Sequence, residues 1–187
     1  MTIDRSQRTA LIGACFALSL LVVQAAVLRF APWELAARIT LPATIALVPF
    51  ALWPYRRFLG VWVIFVGLAA NLAPILANGG LMPIEHTTVV RAIGEERAAE
   101  YETGEWIAGS KDVLVAPGEG RLRALSDQII IRIGHGGMAA SPGDVVVGAG
   151  LLLLIAQASW EWNARRARPK ASTTVRAQER ARGGAAT

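Results

Sequence analysis

The chain has 187 residues, 53% of them hydrophobic and 18% charged, and carries a formal net charge of +5. Its mean hydropathy of +0.41 argues against an ordinary water-soluble domain, because so apolar a composition suits segments that lipid solvates. With Cys15 as its single cysteine, the chain cannot hold an intrachain disulfide framework.

Charge is missing from residues 9–28, 39–55, 58–84 and 145–160. A bilayer core needs roughly 20 apolar residues of helix, with about 17–25 tolerated, so four spans fit, at about 9–28, 34–54, 59–78 and 144–162. The first carries one strongly polar side chain, Gln24, near its far end. The segment "VVQAAV" offers small residues for a signal-peptidase cut, but the apolar run continues to Leu28, which favours an uncleaved anchor. Pro32 suits the first turn of the second span. Pro42 and Pro49 lie inside it, where each removes a backbone hydrogen bond that a neighbouring helix must compensate. Arg38, near the start of that span, can snorkel outward.

The third span has Ala69, Ala73 and Ala77 at spacing four, a stripe that allows close approach of another helix. Asn71 and Asn78 share nearly one face, with Pro74 between them. Asn71 is deep enough to need an interhelical partner, with Gln24 or the Ala70 carbonyl as candidates. Asn78 and Gly79 read as a helix stop, since both tolerate the left-handed cap conformation, and Pro83 prevents resumption.

Residues 79–143 form a loop in which acids offset bases. Its first half, 83–106, has the apolar spacing of an amphipathic helix. Residues 111–133 read as an extended pair around the Pro-Gly-Glu-Gly turn, and 134–143 as a flexible return. In the fourth span, Asp144 can cap the first N–H groups, and Gly148 and Gly150 supply a second close-packing surface. Residues 163–187 are small, polar and basic, the composition of a disordered tail.

Orientation follows from the basic residues. Arg5 and Arg8, Arg56 and Arg57, and the group Arg165, Arg166, Arg168, Lys170, Arg176, Arg180 and Arg182 fall on one side of a four-span chain. Positive charge at span ends marks the cytoplasmic side, so both termini are expected to be cytoplasmic and loop 79–143 extracytoplasmic, in a plasma membrane. Trp33, Trp53, Trp62, Trp160 and Trp162 lie at span ends, as an interfacial belt requires. The basic excess sits in the tail, so it reads as a topology signal with some attraction to anionic lipid headgroups. No nucleic-acid partner is expected.

Chemistry is less legible. Gln24, Asn71 and Asn78, with Gly79, Gly80, Met82 and Pro83, could surround a polar pocket that holds a ligand or partner. His86 and His135 could join Glu85, Asp127 and Asp144 around a metal, but no ligand spacing such as H-x-x-x-H is present, so no metal is expected and no cofactor can be named. Asp127 and Asp144 each precede an apolar run. Two carboxylates brought together at such a boundary would share a proton and could serve as acid and base. The segment "SPGDVVVGAGLLLL" has some similarity to the last catalytic segment of lipoprotein signal peptidases, whose other motifs are absent.

Asn78, Gly79, Gly80, Met82 and Pro83 in "ANGGLMPIE", with Gln24, Asp127 in "LSD" and Asp144 in "SPGDVVVGAG", give the chain a resemblance over roughly 11–162 to a bacterial membrane family, domain of unknown function 5317. The resemblance implies a small multispan membrane protein with an Asn-Gly-Gly-x-Met-Pro motif after one span and Gly-Asp opening the last. It implies no activity.

The fold expected is an all-α membrane protein of four transmembrane helices, with a small extracytoplasmic α+β loop domain between the third and fourth. The function expected is a non-catalytic binding or accessory subunit, with membrane lipids and a membrane-protein partner or second copy as its partners. The rival is a membrane aspartyl hydrolase using Asp127 and Asp144. A small transporter component ranks third, because charge deep in the spans is lacking.

Overall fold

The computed structural model describes residues 5–30, 33–107, 109–133 and 136–167. Pro32, His135 and the chain from residue 168 lie outside them, and with them the expected start of the second span, a candidate metal ligand and most of the expected tail. The described elements run α1 (Arg5–Phe30), α2 (Glu34–Leu52), a 3-10 turn (Trp53–Tyr55) and α3 (Leu59–Ala77). Then come β1 (Met82–Glu85), α4 (His86–Ile93), α5 (Glu95–Ala98), β2 (Asp112–Val115), a second 3-10 turn (Arg123–Leu125), β3 (Ile129–Ile133), β4 (Gly136–Ala140) and α6 (Pro142–Ala167).

The protein is mostly helical, and four of the described helices are long and apolar enough to cross a membrane: Ile12–Phe30, Glu34–Tyr55, Leu59–Ala77 and Pro142–Ala164. Each overlaps a span expected from the sequence. They also leave large apolar side chains exposed, among them Leu18, Leu21, Phe50, Val66, Leu152 and Ile155. Residues Met1–Leu154 form one compact unit; the second, Ile155–Thr187, is described only as the continuation of α6.

Within the first unit α3 meets α6 backbone to backbone. A Cβ added to Gly67 would lie 2.7 Å from Val147 N and 2.8 Å from Gly143 O, and one on Gly150 would lie 2.7 Å from Ile64 N. A Cβ on Gly60 would strike Leu154 N. The close-packing residues are therefore Gly60 and Gly67 against Gly143 and Gly150, each pair seven apart. Gly148, expected to take part, has nothing within 4 Å.

The end of α3 follows the rule for a Schellman cap. Gly80 N–H donates to Ile75 O at 2.8 Å and Gly79 N–H to Leu76 O at 3.4 Å, with φ of +77° at Gly79 and +98° at Gly80. Two further contacts fix this corner. Arg38 Nη1 donates to Gly79 O at 2.8 Å, and a Cβ on Gly80 would strike Arg38 O. Arg38 also pairs with Glu34 Oε1 at 2.6 Å, so it is tied to the α3 corner instead of reaching freely outward.

The segment between α3 and α6 departs from the expected hairpin. β2 pairs with β1, parallel, with Met82 opposite Asp112 and Glu85 opposite Val115. β3 pairs antiparallel with β4, Ile129 opposite Ala140. The turn at Pro117–Gly118 therefore does not join paired strands, and part of the expected flexible return is a strand. The expected single amphipathic helix is broken at Gly94, whose φ of +92° separates α4 from α5. Ala37, Leu41 and Ile75 of the long helices bury Leu81, Met82 and Val113 in one apolar cluster. Ile84 and Leu114, also from β1 and β2, pack with Val89 and Ala98 in a second. The parallel pair is thus sandwiched between α2–α3 and α4–α5.

Candidate functional site

The N-terminus of α6 explains why two polar groups converge beside α3. Pro142 at the first helical position lacks the N–H that would be orphaned anyway. Ser141 is the N-cap: its Oγ accepts from Asp144 N–H at 3.0 Å, while Asp144 Oδ2 accepts from Ser141 N–H at 3.0 Å. This reciprocal arrangement is a capping box, so Asp144 occupies the third helical position and not the cap itself. Its other oxygen, Oδ1, accepts from Asn71 Nδ2 at 2.6 Å, and Asn71 Oδ1 accepts from Ser141 Oγ–H at 2.5 Å. A Cβ on Gly143 would strike that Asn71 oxygen, so this glycine lets the amide reach its partners.

Lys111 completes the cluster from the loop before β2. Its Nζ stands 2.5 Å from Asp144 Oδ2 and 3.2 Å from Asp127 Oδ1. The second contact is an ion pair without hydrogen-bond geometry; both Asp127 oxygens and Asp112 Oδ1 are buried without a hydrogen-bond partner among the described residues. Burial works to lower the Lys111 pKa, but Asp127, Asp144 and Asp112 outweigh it and raise it, so the ammonium stays charged. Asp112 is pushed up to about 8, first by burial and then by the nearby Asp127 carboxylate, with Lys111 and Ser110 opposing. Burial likewise raises Asp127 against the pull of Lys111. Burial thus penalises the charged form of both carboxyls, and the Asp127 charge adds to the penalty on Asp112.

Asp127 and Asp144 therefore flank the same ammonium. The remaining expected site residues lie apart. Gln24 Oε1 accepts from Thr44 Oγ1–H at 2.8 Å, which joins α1 to α2 and leaves Asn71 to bond Asp144 and Ser141. Asn78 Nδ2 donates to Pro74 O at 2.7 Å and to Arg121 O at 2.9 Å, and its Oδ1 accepts from Arg121 N–H at 3.0 Å. Asn78 thus clamps the loop to the end of α3. Met82 and Pro83 are fully buried in β1. Gly79 and Gly80 form the cap described above.

A cavity of about 440 Å³ lies beside this cluster. Gln24 and Leu28 of α1 wall one side, Val89, Ala92 and Ile93 of α4 another, and Ser110, Lys111 and Asp112 line its polar end. Of the expected pocket residues only Gln24 reaches it; Lys111, Asp112 and Ser110 were not foreseen. A "SKD" tripeptide carries no recognised spacing, and its three side chains gain meaning only when the parallel pairing of β2 with β1 carries them to the helix ends. Ser141 was not foreseen either, since Asp144 was expected to be the cap; the signal that could have found it is the serine three residues before the acid in Ser141-Pro-Gly-Asp144.

No curated protein and no solved structure matches the chain. A family model, described as a family of unknown function (DUF5317), matches residues 5–156. The match takes in α1 to α5, all four strands and most of α6, with Gln24, Asn71, Lys111, Asp112, Asp127, Ser141 and Asp144 inside it, and the chain belongs to this family of unknown function.

Proposed function

We propose that the protein is an integral plasma-membrane protein with four spans, cytoplasmic termini and an extracytoplasmic segment 79–143, and that it binds an amphiphile without catalysing a reaction, alone or as an accessory subunit of a membrane complex. The cavity is the observation that carries this reading. Its volume of about 440 Å³ falls in the range of sites for small ligands, roughly 300–1,000 Å³, which are mainly apolar with a few placed polar groups. Its wall includes the end of α1 at Gln24 and Leu28, so in the proposed topology a lipid-like chain could enter from the outer leaflet. The arginine distribution supports the orientation.

The rival hydrolase reading is favoured by the approach of Asp127 and Asp144 to one another across Lys111. Three features weigh against it. The Lys111 ammonium lies within ion-pair distance of both carboxylates, both Asp144 oxygens accept hydrogen bonds, Oδ1 from Asn71 and Oδ2 from Ser141 and Lys111, and neither side chain lines this cavity. A transporter component has less support still, because the charged cluster sits at the ends of the helices and not along them.

The test is native mass spectrometry of the protein released from its own membranes. Co-purified lipid should be retained by wild type and lost in Ala92→Trp, which fills the cavity. Equal lipid retention by the two proteins would remove the binding reading. Loss of the phenotype of a deletion strain's complementation by Asp127→Asn, with lipid retention intact, would favour the hydrolase.

A further inference from the structure

The reading above leaves the ligand's headgroup open, and the charges at the polar end of the cavity constrain it. Lys111 is the only cation among the described lining residues. Its ammonium has three N–H donors, of which one is bonded to Asp144 and another faces Asp127. An incoming anion would have to compete with two fixed carboxylates for it. Those two acids against one ammonium leave an excess negative charge behind the polar end. Asp112 adds a third carboxyl at the wall itself, with Oδ1 lacking a hydrogen-bond partner among the described residues. Ser110 Oγ, which accepts from Asp112 N–H at 3.0 Å, keeps a second lone pair for a donor on the ligand.

We propose that the polar end formed by Ser110, Lys111 and Asp112 accepts an amphiphile whose headgroup is cationic or a neutral hydrogen-bond donor, and excludes one whose headgroup is anionic. This inference rests on the cavity being a binding site. At an effective dielectric of about 20, an excess unit charge several ångströms from a second anion weakens its binding by about tenfold or more. The bias is smallest while Asp112 keeps its proton and grows when it ionises, because the local charge then becomes more negative. An ammonium headgroup gains from the same field that an anion opposes.

The experiment compares radiolabelled decylamine, decanol and decyl sulfate, three probes with one chain and three headgroups. The full chain is placed in phosphatidylcholine nanodiscs at pH 6, where decyl sulfate is anionic and decylamine cationic. Nanodiscs carrying Ala92→Trp correct for partition into the lipid. The amine and the alcohol should show excess binding over that control, with decyl sulfate at least tenfold weaker. Asp144→Asn should narrow the gap between amine and sulfate. Decyl sulfate binding as tightly as decylamine, with all three sensitive to Ala92→Trp, would overturn the headgroup inference and leave the binding site standing. No excess for any probe would instead overturn the binding site, and the inference with it.

Discussion

Asp144 accepts hydrogen bonds from Asn71, Ser141 and Lys111, three donors on two oxygens. An asparagine there keeps one acceptor and turns an N–H₂ toward at least one of those donors. Asp144→Asn should therefore cost about 1–3 kcal/mol, the penalty for leaving a buried polar group unpaired. The expected readout is a lower Tm in detergent, with Ser141→Ala costing roughly 0.5–2 kcal/mol as an ordinary lost cap. An unchanged Tm in Asp144→Asn would mean that the carboxylate is not the hub of this network.

Asp112 makes a second prediction, whose sign follows from its raised pKa. Between the ordinary carboxylate range and about 8, the native state holds a proton that the unfolded chain has released. Stability contributed by that proton is present at low pH and falls as pH rises through the window, by up to about 1.4 kcal/mol per unit. Asp127, also raised, acts in the same direction. Lys111, raised from the lysine value, loses its contribution only above that window. Thermal melts from pH 5 to pH 8 should show wild type losing stability relative to Asp112→Asn, which carries no titratable proton. Parallel pH profiles for the two proteins would refute a protonated Asp112.

At the scale of elements, the four apolar helices were legible because length and missing charge suffice to find them. The stop after α3 was equally legible, because Asn78-Gly79-Gly80 supplies the local conformation a Schellman cap needs. Strand pairing was not. β1 and β2 are separated by α4 and α5, and no local signal tells a parallel partner across such a gap from an antiparallel one across a nearby turn. The stripe of small residues was misread for a related reason: spacing finds candidates on a helix, while only the neighbour's position decides which of them touch. Ala69, Ala73 and Ala77 mark one face of α3, but Gly60 and Gly67 make the crossing. Gly67→Ala and Gly150→Ala should each destabilise by about 1–3 kcal/mol through overpacking against backbone. Gly148→Ala, with open space around it, should be neutral or slightly stabilising. Unfolding of the three variants in detergent by a graded denaturant checks the order, and a Gly148→Ala as damaging as Gly67→Ala would contradict the crossing.

For the whole molecule, the proposed topology makes a direct prediction. Glu119 is exposed in the segment between α3 and α6, whereas Ser172 belongs to the basic tail. In a Cys15→Ala background, Glu119→Cys should react with an impermeant maleimide on intact cells, and Ser172→Cys only after the membrane is opened. The reverse pattern would invert the orientation, and equal labelling would end the four-span proposal. Lys111, at the heart of the ion cluster, is a poor place for such a label. Its role was hidden in the sequence because one lysine among loop charges looks like any other until the fold supplies its three carboxylates.

The hydrogen bonds of Asn71 reach across 73 residues to Asp144 and 70 to Ser141. Chains are made from the N-terminus, so in the proposed topology α3 enters the bilayer well before its partner helix has been synthesised. Throughout that interval the Asn71 amide has neither of its mature partners, and the glycine face of α3 has no helix against it. A ribosome-bound chain halted before residue 141 should thus keep α3 near the insertion machinery, crosslinking to it from a probe at Gly67. One lengthened by a C-terminal linker until α6 has left the ribosome should release it, and Asn71→Leu should release it early. On this account the polar anchor of the finished molecule would, during biogenesis, set the time at which α3 leaves the insertion machinery.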